Sequence, residues 1–96
     1  MNMQAVLKQA QAMQKDMLKT KNEIDNMRFQ ANNGLVNVEV NGNKEILSIK
    51  IGEEFEPDDI EVLQDMLIVA INNALKQVDK VTEEKMGKYA NIPGLF

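Results

Sequence analysis

The chemistry open to this chain starts with its lysines. Lys8 and Lys15 lie seven residues apart and Lys19 four further on, which sets three ammonium groups along one side of a helix. Such a row suits contact with successive phosphates, and it equally suits a solvated face that keeps a helix soluble. Lys21 and Arg28 extend the basic character toward residue 30, and Lys85 and Lys88 form a second basic segment late in the chain. Gln4, Gln9, Gln11 and Gln14 lie among the first lysines. Their amides can bond base edges or phosphates, although glutamine is also simply a good helix former.

The carboxylates point to less. Seven acids fall between Glu53 and Asp65, but without the glycine-centred alternation of a calcium loop, and helix capping and solvation account for most of them. No metal site is expected. The chain has no cysteine and no histidine, which removes disulfides, thiol nucleophiles, thiolate or imidazole metal ligands and the usual proton carrier near neutral pH. Thr20, Ser48 and Thr82 are its only aliphatic hydroxyls, and none stands in a recognisable catalytic motif. These absences predict a protein that is not an enzyme and takes no cofactor and no small-molecule substrate.

The formal net charge of −4 argues against a nucleic-acid partner until it is divided along the chain. Residues 1–30 hold five cations against three acids, residues 31–75 two against nine, and residues 76–96 four against three. The acid is central and the termini are mildly basic. Ninety-six residues make one domain, too small to divide its core further. Neither a transmembrane-length apolar run nor a signal-like opening is read, so a cytoplasmic location away from membranes is expected.

The elements that must carry these groups follow from periodicity. Met3, Ala10, Met17 and Ile24 share one heptad position, and Val6, Met13, Thr20 and Met27 another. This predicts a helical arm over 1–28 with a coiled-coil seam, and makes Met3, Val6, Ala10, Met13, Met17 and Ile24 candidate dimer contacts. A helix packed on its own domain has the same spacing, but a span of ~37 Å favours a separate partner.

Alternation of Val36, Val38 and Val40, and again of Leu47, Ile49 and Ile51, predicts two strands of a meander over 29–52, with a short strand from Phe29 to Asn32 ahead of them. Taking Gly42 and Asn43 as the loop residues sets Val38 opposite Leu47 and Val36 opposite Ile49. Pro57 ends the sheet region, and Asp58 is expected to cap a second helix over 58–88. Met66 to Ile71 is apolar nearly all round, which asks for cover on two sides and adds Ile68 and Ile71 to the dimer contacts. Asn91 to Gly94 ends regular structure, and Leu95 and Phe96 form an apolar tip in a tail over 89–96.

Four segments in this order resemble the YbaB/EbfC nucleoid-associated family along essentially the whole chain. They are Leu7 to Lys15, rich in methionine, lysine and glutamine; Gly34 to Val38, a glycine-led strand; Gln64 to Leu67 continuing through Asn72 to Lys76; and Lys85-Met86-Gly87 with Pro93-Gly94-Leu95-Phe96. The resemblance implies an α+β protomer of order α-β-β-β-α and a tweezer-like homodimer whose first helices project as arms. It also implies double-stranded DNA binding by those arms and a nucleoid-associated protein. The chain departs from the family in having two residues ahead of the heptads where a glycine-rich leader often stands. The competing reading is a coiled-coil adaptor or holdase whose methionine-lined arms grip protein and bind no nucleic acid.

Overall fold

The computed structural model describes residues 2–89. The expected end at Asn91 to Gly94 and the apolar tip at Leu95 and Phe96 lie outside the described residues. The order is α1 (Met3–Asp25), β1 (Arg28–Asn33), β2 (Val36–Asn41), β3 (Ile46–Ile51) and α2 (Ile60–Met86), with single 3-10 turns at Pro57–Asp59 and Gly87–Tyr89. This is the α-β-β-β-α order that the resemblance implies. The strands form one antiparallel sheet in the order β1-β2-β3.

Period-2 alternation builds the core. Phe29 and Ala31 of β1 and Val36, Val38 and Val40 of β2 point to one face, where Leu63, Ala70, Ala74 and Val78 of α2 cover them. Small alanines at 70 and 74 let the helix approach the sheet closely. The helix lies over β1 and β2, and β3 falls outside its shadow.

The expected hairpin register is wrong. Val38 pairs with Ile49 and Val36 with Ile51, whereas Val40 pairs with Ile46, so Leu47 is an extra residue bulged out of the ladder. The turn itself holds three residues. Lys44 N–H donates to the Asn41 carbonyl at 3.1 Å and Asn41 N–H to the Glu45 carbonyl at 3.0 Å, leaving Gly42, Asn43 and Lys44 between them. Lys44 takes the left-handed conformation at φ 63°, the position that closes a three-residue hairpin loop. Gly42, whose type suggested a two-residue loop, has another task. A Cβ built on it would stand 1.7 Å from the Ile24 carbonyl oxygen, and its N–H donates to the Met27 carbonyl at 3.1 Å. The turn is thus seated against the end of α1.

Two boundaries also differ from expectation. Arg28, placed on the arm from sequence, is the first residue of β1, because α1 stops at its C-cap Asn26. Asp58 does not cap α2 either: Pro57 opens a 3-10 turn with Glu56 at its N-cap, and Asp59 precedes α2 without a side-chain cap bond.

On the outer face of the sheet, Glu39 accepts from Arg28 Nη1 at 2.7 Å and from Gln30 Nε2 at 2.9 Å. The Gln30 amide and then the Arg28 guanidinium hold its carboxyl below the ordinary value of 4.5. A depressed folded value means the stabilising contribution is complete above 4.5 and is lost as pH falls through the folded value. Glu39→Gln should therefore lower the urea midpoint modestly near neutral pH. That deficit should shrink on acidification, and a deficit independent of pH would show that the charge plays no part.

Candidate nucleic-acid interface

The helix α1 begins cleanly, with the Asn2 side chain accepting the Gln4 N–H at 3.0 Å. Residues 3–12 are all exposed. Contact with the body starts only at Met13, Met17 and Thr20, which are half-buried, and is complete at Ile24, which is buried. These four residues share one helical face. Ile24 packs with Met86 and Tyr89 at the end of α2, with Met17 against them. The outer half of α1 therefore stands clear as an arm. The principal extents of 71 × 19 × 14 Å and a radius of gyration of 19.4 Å agree with this, since a compact chain of this length would have about 12.5 Å.

The heptad seam is thus divided. Ile24 is buried inside its own protomer and Met17 packs beside it, so the inner half of the seam follows the own-domain alternative. Met3, Val6 and Ala10 remain exposed. Ile71 packs against the main core, whereas Ile68 is exposed.

The cations sort clearly by partner. Lys21 is tied to Asp25 at 2.6 Å, Arg28 to Glu39 at 2.7 Å, and Lys88 lies 3.6 Å from Asp16. Lys44, which the sequence did not single out, pairs with Asp79 of α2 at 2.5 Å. Lys8, Lys15, Lys19 and Lys85 are exposed and, among the described residues, have no carboxylate within ion-pair distance. By helical geometry the first three lie on the side of α1 opposite Met13, Met17, Thr20 and Ile24, spread over ~16 Å. The acids from Glu53 to Asp65 lie at the start of α2, ~35 Å along that helix from the end that holds the arm. Among the described residues no cluster of acids could hold a metal ion. What the arm presents is a line of unneutralised ammonium groups with exposed glutamines beside it.

The model of the YbaB/EbfC DNA-binding family matches residues 1–92. The chain belongs to the YbaB/EbfC family. Its curated relatives carry the name nucleoid-associated protein: one from Ligilactobacillus salivarius is 43% identical over 99% of this chain and 95% of the relative, and one from Clostridium novyi is 44% identical over 100% and 90%. Among solved structures, an uncharacterized protein from Helicobacter pylori superposes with a TM-score of 0.78 at 20% identity, covering 93% of this chain and 97% of its own. That likeness concerns the fold. Membership in the YbaB/EbfC family makes this a DNA-binding protein of the nucleoid-associated kind, not an enzyme. No described helix is long and apolar enough to cross a membrane.

Proposed function

We propose that this YbaB/EbfC protein is a cytoplasmic homodimer that binds double-stranded DNA through its two α1 arms and so influences nucleoid organisation or gene expression. The observation that carries the reading is the row of Lys8, Lys15 and Lys19, exposed and unpaired among the described residues, on the outward face of a helix whose outer half stands clear of the body. Lys85 is a further candidate. Lys21, Arg28 and Lys88 already have carboxylate partners and would contact phosphate only in addition to them or in exchange for them.

Two arms of three lysines offer about six phosphate contacts, so log affinity for random-sequence duplex should fall against log salt with a slope near −5. Replacing Lys8, Lys15 and Lys19 together by glutamine preserves helix propensity and leaves the packed face untouched. The triple variant should fold normally, bind all duplexes more weakly and show a slope close to zero. Wild-type affinity with an undiminished slope would move the site elsewhere, with Lys85 the next residue to test. The exposed Met3, Val6 and Leu7 favour the second reading, a grip on protein. Under that reading, duplex binding would be absent at low salt.

The dimer is supported by apolar surface that the protomer leaves open. Ile46, Leu47, Ile49 and Ile51 of β3 are 43–48% exposed. Asp79 of α2 reaches Lys44 in the β2–β3 turn, so the flank of α2 that carries Asp79 faces β3. Steps of three and four residues back along that flank lead to Leu75, Ile71 and Ile68. The α2 flank and β3 together make an apolar trough that a second copy of the same surface would fill about a two-fold axis.

A further inference from the structure

We propose that Tyr89, acting through Asp16, is a positioning residue that sets the direction of the α1 arm and with it the placement of the lysine row on DNA. The inference rests on the arm reading above. Its starting point is how little holds α1. At the inner end, the turn around Gly42 and the Ile24 contact fix the helix where it leaves the body. Eight residues outward from Ile24, ~12 Å along the axis, the Tyr89 hydroxyl donates to the Asp16 carboxylate. Met17 and Thr20 are half-buried between these two points, and the Asp16 contact is the outermost polar tie of α1 to the body among the described residues.

The chemistry of the outer point favours permanence. The Tyr89 ring is buried beside Ile24, Met86 and Met17, so only its hydroxyl has to find a polar partner, and Asp16 supplies one. Lys88 closes the group, with its ammonium 3.6 Å from Asp16 and 5.1 Å from the centre of the Tyr89 ring. The Tyr89 hydrogen bond, and then the Lys88 charge, hold the Asp16 carboxyl below its ordinary value, so the acceptor stays ionised throughout the physiological range.

The lever is long. Lys8 lies 18 residues, ~27 Å, out from Asn26, so a swing of about 10° about the inner end moves its Cα by about 5 Å. That exceeds the ~3.4 Å rise per nucleotide of one DNA strand and would take the lysines off their phosphates.

The chain has no cysteine, so Gln4→Cys and Lys50→Cys introduce two unique spin-label positions, one on the arm and one on the outer face of β3. With labelled chains diluted in excess unlabelled protein, pulsed dipolar spectroscopy reads the arm direction within one protomer. Tyr89→Phe keeps the ring and removes the donor. It should broaden the distance distribution and weaken random-duplex binding about five- to tenfold, with helicity unchanged. Asp16→Ala should do the same, and the double variant should be no worse than either single change. An unchanged distribution in both single variants overturns the proposal, as does a broadened one with wild-type affinity. If wild-type protein binds no duplex at any salt, the DNA reading fails, and the distance measurement alone still decides whether Tyr89 sets the arm.

Discussion

Gly42→Ala is expected to be among the most damaging single-methyl additions available to this fold. The new Cβ would stand 1.7 Å from the Ile24 carbonyl oxygen, 2.4 Å from its carbonyl carbon and 3.0 Å from the Asp25 nitrogen. All three are backbone atoms in the last turn of α1, so no side chain can rotate out of the way. Relief requires the β2–β3 turn and the end of α1 to part by more than an ångström, which strains the Gly42 to Met27 hydrogen bond and loosens Ile24 against Met86 and Tyr89. Overpacking of this kind costs about 3 kcal/mol or more. For a domain of this size that lowers the thermal midpoint by on the order of 15 °C. Gly87→Ala is the matched control, because a Cβ there meets nothing within 4 Å. It should leave the midpoint unchanged or raise it slightly, since alanine favours helical backbone. Equal effects from the two substitutions would refute the steric argument.

Ile49→Asp should abolish the proposed dimer. Ile49 lies within β3, opposite Val38, and is 45% exposed on the surface proposed as the interface. A two-fold interface buries the change twice. At roughly 2 kcal/mol or more for each unpaired carboxylate, the dissociation constant rises by about a thousandfold. Sedimentation velocity at micromolar concentration should then find a folded or partly folded monomer. Val6→Asp, on the arm, should leave the sedimenting species dimeric. The reverse pattern, with Val6→Asp dissociating the protein and Ile49→Asp not, would place the contact in the arm seam and remove the trough from the argument.

Much of the fold was legible because single periods dominate its elements. Valines two residues apart mark β2 without ambiguity, and α1 begins at Met3, where the heptad spacing begins, although it ends two residues short of Met27, the last heptad position. The hairpin register was not legible, because it depends on one fact that lies away from the turn and one within it that residue type does not reveal. Gly42 is a glycine for the sake of Ile24, 18 residues earlier, and the left-handed position falls to Lys44, a residue whose type does not announce it. The bulge at Leu47 then slips the pairing once more.

The lysine row was readable from spacing alone, yet spacing could not say which cations were already neutralised. Lys21 has its partner four residues away, a pattern visible in the sequence. Arg28 and Lys88 have theirs across the fold, at Glu39 and Asp16. The Tyr89 to Asp16 contact joins residues 73 apart, and local patterning carries no trace of it. The seam was only partly legible for a related reason: a heptad repeat reports that one face is apolar, and it is silent on whether the cover belongs to the same chain, as it does at Ile24 and Met17.

The open surface of β3 has a consequence for the life of the lone chain. Ile46 to Ile51 is an edge strand in which four of six residues are exposed aliphatics and the single charge is Lys50. A short, β-prone, weakly charged edge is a template for cross-strand recruitment of other unfolded chains. Under the proposed dimer, freshly made or diluted protomers would race between mating with a second copy and aggregating through β3. In that race Lys50 serves as the gatekeeper that slows the wrong partner while the right one arrives.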